Sequence, residues 1–210
     1  TRPHRLAILA SGEGSNFEAL VLASRRDELG GTVELLACDV PGARVLERAA
    51  RLGVPAVCPP AGRFRTRLED EALWRDLMRA QGIEVLLLAG FMRRLHATLL
   101  DAWPDRILNL HPSLLPAFPG LDAIRRAWQE GVRWTGCTVH LVDAGLDAGP
   151  IVAQQAVEVR DDDTLERLEA RIHEAEHGLY PRAVRRFLEQ PWRREGRRIV
   201  FAAGTEADRG

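Results

Sequence analysis

Two polar residues interrupt an apolar stretch near the middle of the chain: Ile107-Leu108-Asn109-Leu110-His111, followed by Pro112-Ser113-Leu114-Leu115-Pro116. On a strand, side chains alternate, so Ile107, Asn109 and His111 share one face. An asparagine amide is a neutral hydrogen-bond donor and a histidine can be a charged one. Side by side they could hold an oxygen on which negative charge develops. At the carboxyl end of a parallel strand, such a pair sits where ligands bind. The two prolines bar a helical turn and predict an extended loop. Taken singly, either residue is explained as well by a strand end satisfied by neighbouring backbone. The chain has only two asparagines, however, Asn16 and Asn109, which argues that each is present for its amide.

Three further patterns bear on chemistry. Asp147 lies in Val142-Asp143-Ala144-Gly145-Leu146-Asp147-Ala148-Gly149-Pro150, where Asp-Ala-Gly is good turn chemistry. Ser11-Gly12-Glu13-Gly14-Ser15-Asn16 follows an apolar run and precedes a helical pattern. A glycine loop at a helix N-terminus suits an anion. Phe17 stands where a dinucleotide fingerprint needs its third glycine, so a single phosphate is the better fit. His173-Glu174-Ala175-Glu176-His177 satisfies H-E-x-x-H literally. That makes a zinc hydrolase through His173 and His177 the alternative from a different class, with Glu195 as its candidate third ligand.

The elements that must position these residues alternate in type. Apolar strand patterns are expected at 5–10, 33–38, 55–58, 84–89 and 107–111, with helices at 17–23, 44–52 and 68–81 between them. Ser15 or Asn16 is expected to cap the first helix, and Gly53 and Gly82 to close the next two. This order implies an α/β protein with a mostly parallel sheet flanked by helices. The second half mixes its strands: a helix at 123–130, strands at 136–141 and 150–159, and a long helix at 164–190. Pro181 is expected to kink or restart that helix. A hairpin is expected over 192–201 and a flexible tail over 202–210. One domain is expected over 1–201.

Composition narrows the classes. The chain has 210 residues, 46% of them hydrophobic, with 29 basic and 30 acidic residues for a net charge of −1. That balance offers no footprint for nucleic acid or an anionic membrane. No run is long enough to span a bilayer and no signal-peptide pattern is seen. Cys38, Cys58 and Cys137 lack metal-ligand spacing and are expected to be reduced thiols of a cytoplasmic protein. There is no lysine; every basic residue in that count is arginine. Schiff-base catalysis and lysine-dependent phosphate binding are thereby excluded.

The segment 109–116, taken with Asp147 in 142–150, resembles the motif pair of the formyltransferase family that uses 10-formyltetrahydrofolate. The resemblance runs from Gly12 to about Trp192. It implies a Rossmann-like formyltransferase fold in which 1–105 forms a phosphate- and nucleotide-binding half. Residues 106–201 would form the folate-binding and catalytic half. It implies transfer of a formyl group from 10-formyltetrahydrofolate, as co-substrate, to an amine, without a metal. Gly12-Glu13-Gly14-Ser15-Asn16 resembles the phosphate loop of family members that act on phosphoribosylglycinamide in purine biosynthesis. By position, Asn109, His111 and Asp147 would be catalytic, and Gly14, Ser15, Asn16 and Glu176 would meet the ribonucleotide. Arg67, Met92, Arg93, Arg94, Leu95, Asn109 and the loop Asp143, Ala144, Gly145, Leu146 and Asp147 would meet the folate. Asp39 stands where related chains often have Asn, and Asp122 and Ile124 replace histidines found in some members. Members acting on tRNA carry an added RNA-binding domain, and formyltetrahydrofolate hydrolases an N-terminal regulatory one. Hydrolysis, or another acceptor on the same core, is the alternative within the family. Small-molecule partners are implied, and a homodimer is left open.

Overall fold

The computed structural model describes residues 2–202, so the expected tail lies, beyond Ala202, outside the described residues. The chain runs β1 (His4–Ala10), α1 (Ser15–Arg25), β2 (Gly31–Cys38), α2 (Arg44–Arg51) and β3 (Ala56–Val57). Then come α3 (Glu71–Ala80), β4 (Val85–Leu88), α4 (Ala97–Leu100), β5 (Ile107–His111) and α5 (Ala123–Gln129). It ends with β6 (Trp134–Leu141), β7 (Ile151–Glu158), α6 (Leu165–Glu189) and a hairpin of β8 (Trp192–Glu195) and β9 (Arg198–Phe201). The nine strands of the described residues join one sheet, ordered β3-β2-β1-β4-β5-β6-β7-β9-β8. The strands β3, β2, β1, β4 and β5 are parallel. The direction reverses at β6, which is antiparallel to both β5 and β7. The expected mostly parallel sheet with a mixed C-terminal part is present.

Both faces of the sheet are covered, which is why β1 and β4 are apolar throughout. From β1, Leu6, Ile8 and Ala10 join one core with α1 and α6, while Ala7 and Leu9 join a second core with α3 and α4. In β5, Leu108 and Leu110 belong to the first core and Ile107 to the second. Asn109 and His111 therefore continue the Ile107 face, as alternation requires. In β6, Cys137, Val139 and Leu141 face the first core, so Thr138 and His140 turn toward Asn109 and His111. Loops 112–122 and 142–150 lie against that part of the face.

Local departures from expectation have local causes. The first helix begins at Ser15 with Gly14 as its N-cap and no side-chain cap, so neither Ser15 nor Asn16 caps it. Asn16 spends its amide elsewhere, as described below. Helix α3 starts three residues late because the Asp70 carboxylate caps it, accepting from Leu73 N at 3.1 Å. The long helix runs through Pro181 without a restart. Leu179, Tyr180, Pro181, Ala183 and Val184 are all buried there. The one Tyr180 O–H is also shared between Leu88 O and Leu108 O, 2.9 and 3.1 Å away, so packing outweighs one lost backbone bond. The segment after His111 is compact rather than extended. Ala117 N donates to Leu114 O at 3.0 Å, Leu115 N to Thr138 Oγ1 at 3.1 Å, and Thr138 Oγ1 to Ser113 O at 2.7 Å. Among the described residues, no helix is long and apolar enough to cross a membrane.

Candidate active site

The carboxyl ends of β1, β4 and β5 open into a cleft of about 860 Å³, a size suited to small molecules. Residues from 1–105 and from 106–201 line it together. Asn109 and His111 reach it from β5, and Asp147 reaches it from the loop after β6.

His111 is nearly buried, and its Nε2 lies 2.8 Å from Phe118 O. A carbonyl only accepts, so Nε2 carries a hydrogen and donates it. The other ring nitrogen, Nδ1, is 3.5 Å from Asp147 Oδ2. Only the doubly protonated ring can point an N–H at Asp147 while keeping the Phe118 bond. Asp147 Oδ2 also accepts from Gly120 N at 2.7 Å. Asp147 has φ 47°, a left-handed conformation that Asp and Asn tolerate better than most side chains. Its loop packs hard on β6: a Cβ at Gly149 would fall 1.8 Å from Leu141 O.

His140 was not singled out from the sequence, yet it completes this group. It is the direct cross-strand partner of Asn109, with Asn109 Nδ2 3.2 Å from His140 Nε2. His140 Nδ1 lies 2.9 Å from Leu141 O and so donates to it. Burial pushes the His140 pKa down, outweighing the opposing pulls of the Leu141 carbonyl and of Asp147. The ring is therefore neutral, and its 3.7 Å approach to Asp147 Oδ1 is not an ion pair. A neutral Nε2 accepts one Asn109 N–H and leaves the second amide hydrogen for the cleft. The available signal was Thr138 and His140 alternating with apolar residues in 136–141.

At the other end of the cleft, Gly14 has φ 77°, and a Cβ there would meet Val45 atoms at 2.6–2.9 Å. Only glycine lets the α1 N-terminus sit this close to α2. Asn16 Nδ2 donates to Glu176 Oε2 at 3.0 Å, and His173 Nδ1 lies 3.0 Å from the same oxygen. Glu176 is 4% exposed. The hydrogen bond and charge of Glu176 push the His173 pKa up against its partial burial. Asn16 Oδ1 is buried with no partner, a cost that a donor on a bound molecule would relieve.

The H-E-x-x-H histidines thus serve different places. His173 lines the cleft, whereas His177 Nε2 is buried without a partner. Glu195, the third ligand the zinc alternative needs, lies in the edge strand β8 and pairs with Arg193. Among the described residues, no group of three His, Cys, Asp or Glu is placed to hold a metal ion.

The remaining wall is mixed. Met92, Leu121 and Leu146 form an exposed apolar rim. Leu95, Asp122, Asp143 and Gly145 also line the cleft. Arg94 reaches Ala144 O at 3.3 Å. Arg93 contributes to the wall, but its guanidinium is spent on Asp39. Arg67 and Ala144 do not line the cleft; Thr66 does. The Arg67 guanidinium instead lies 4.0 Å over the Phe64 ring. Among the described residues, the arginines lining the cleft are Arg93 and Arg94.

The chain is 43% identical over 184 residues to phosphoribosylglycinamide formyltransferase of Bacillus subtilis, covering 88% of this chain and 94% of that one. It is 42% identical to the trifunctional purine biosynthetic protein adenosine-3 of Drosophila melanogaster over 87% of this chain, but spans 14% of that longer protein. Its structure superposes on glycinamide ribonucleotide transformylase 1 from Symbiobacterium toebii with a TM-score of 0.91 and 43% identity, covering 96% of this chain and 95% of the other. The formyl transferase model matches residues 4–184, a span that holds Asn109, His111, Asp147 and the Gly12–Asn16 loop alike, and the chain belongs to the formyl transferase family.

Proposed function

We propose that this protein transfers the formyl group of 10-formyltetrahydrofolate to the amine of 5-phosphoribosylglycinamide, in purine biosynthesis. The observation that carries the reading is the convergence of Asn109, His111 and Asp147 in a cleft that also holds the α1 N-terminus. As the acceptor amine adds to the formyl carbon, the formyl oxygen gains negative charge. The free Asn109 N–H donates to it, and the His111 Nδ1–H, 3.5 Å from Asp147 Oδ2, is shared between that carboxylate and the oxygen. Asp147 Oδ2, 3.5 Å from His111 Nδ1, orients the ring. A proton must then leave the amine and reach the departing folate nitrogen. Asp147 Oδ1, which accepts no hydrogen bond among the described residues, is a carboxylate oxygen left to take part in that transfer. Holding two substrates together supplies a large part of the acceleration.

The Gly12–Asn16 loop offers backbone N–H groups to the acceptor phosphate. Asn16 and Glu176 then face the ribose, which accounts for the buried unpaired Asn16 Oδ1. Folate lies against 92–95 and 143–147, with the Met92, Leu121 and Leu146 rim around it. A cytoplasmic location belongs to the same reading. The test follows folate absorbance with water, charged initiator tRNA or the ribonucleotide as acceptor. Turnover only with the ribonucleotide is expected. Equal turnover with water alone would make the protein a hydrolase, and turnover only with tRNA would overturn the phosphate assignment.

A further inference from the structure

Behind the proposed folate wall lies a buried charge pair whose acidic member, Asp39, is in none of the expected contacts. Asp39 directly follows β2, and its side chain is 3% exposed; that of Arg93 is 12% exposed. Asp39 Oδ2 accepts from Arg93 Nε at 2.6 Å, and Oδ1 accepts from Ser11 Oγ at 2.5 Å. Arg93 Nη1 donates onward to Phe64 O, and to Arg67 O at 3.2 Å. Ser11 Oγ in turn accepts from Met92 N at 2.9 Å. Two backbone bonds run alongside: Ser11 N to Gly90 O at 3.1 Å and Arg94 N to Thr66 O at 2.8 Å. One carboxylate therefore gathers the ends of β1 and β2, the loop 62–68 and the segment 90–95. Thr66 and Met92–Leu95 present the cleft side of that assembly.

A guanidinium fork fits this task. It meets a carboxylate with Nε and two carbonyls with Nη1, which a lysine ammonium on a flexible stem cannot hold in one plane. Nε and Nη1 of Arg93 are committed, which fixes the plane of the guanidinium. The effect of Asp39 on folate must pass through that side chain and the main chain it holds.

We propose that Asp39, acting through Arg93, is a positioning residue for the folate side of the cleft: the buried pair sets the spacing of segments 62–68 and 90–95, and with it folate affinity, while the Asp39 carboxylate itself lies off the cleft. The proposal rests on the formyl-transfer reading.

The test is steady-state kinetics with each substrate varied in turn, on the wild type, D39A, D39N and R93K. Alanine leaves the Arg93 charge buried and unpaired. We expect D39A to raise the folate KM at least ~10-fold, with kcat and the acceptor KM within about 2-fold of wild type. Asparagine keeps one acceptor for Arg93, so D39N should restore the folate KM to within about 3-fold. R93K keeps the charge and loses the fork, and should raise the folate KM in the same sense; it decides the matter if D39A does not fold. An unmoved folate KM in folded D39A or R93K would overturn the proposal. So would a loss spread equally over kcat and both KM values, since that marks a merely structural role. The wild type in the same assay separates the two failures. No wild-type turnover counts against formyl transfer. Normal wild-type turnover with an unmoved folate KM in the variants counts against Asp39 alone.

Discussion

The Asn109 amide donates to His140 Nε2 across 3.2 Å, and that bond decides which way the amide faces. Asn109 and His140 are directly opposed because β5 and β6 are antiparallel, and a neutral His140 can only accept at Nε2. The amide oxygen is thereby kept away from His140, and one N–H is kept for the substrate.

Removing His140 should therefore harm the reaction through the orientation of Asn109. His140→Phe fills the space and deletes the acceptor. The amide can then rotate, and we expect kcat to fall about 10-fold or more with both KM values little changed. Steady-state kinetics on a variant of unchanged melting temperature checks this; an unchanged kcat would show that the amide is oriented without His140.

Asn109→Ala and His111→Ala each remove a donor aimed at the developing charge. Loss of one such donor costs roughly 10²–10³ in rate. Single-turnover measurement on folded variants is the check, and near-normal turnover by His111→Ala would remove it from the mechanism.

Asp147→Asn is the cleaner of the two obvious changes at that position. Asparagine accepts the left-handed backbone that Asp147 adopts, whereas alanine adds strain. The variant should keep its fold and substrate binding while kcat falls by about 10²-fold, because the charge opposite His111 Nδ1 is gone. A kcat within about 2-fold of wild type would show that the carboxylate charge is not used.

His173 sets a pH dependence on the acceptor side. Its bond to Glu176 raises its pKa, so it stays charged to higher pH than a free imidazole. Both His173 Nδ1 and Asn16 Nδ2 bond to Glu176 Oε2, which puts the charge beside the phosphate loop. The acceptor KM should be lowest below the raised pKa and climb as pH rises through it. His173→Gln, which has no charge to lose, should start higher and lack that climb. The measurement is acceptor KM from about pH 6 to pH 9 at saturating folate. Identical profiles would remove His173 from acceptor binding.

The sequence carried the strand bearing Asn109 and His111, the alternation that gives the parallel sheet, and the terminal hairpin, because each depends on local periodicity and turn residues. Helix ends were less legible, since caps compete: Asp70 captured α3, and Glu176, 160 residues away, took the Asn16 amide. His140 was invisible for a related reason. Its partner is set by strand register and its protonation by burial, and neither exists until the chain folds. Arg93 illustrates the converse. Its position on the folate wall was expected, but not that Asp39 would claim its charge.

The character of the cleft's cations has one more consequence, and it concerns chemoselectivity. A formyl donor held close to lysines would face competing primary amines from the protein itself. Here Arg93 and Arg94 present guanidinium groups, which stay protonated and are poor nucleophiles at neutral pH, and the 210 residues contain no lysine. With no side-chain amine in the chain, self-formylation at lysine is ruled out by composition. No lysine amine of these residues then competes with the one the acceptor brings.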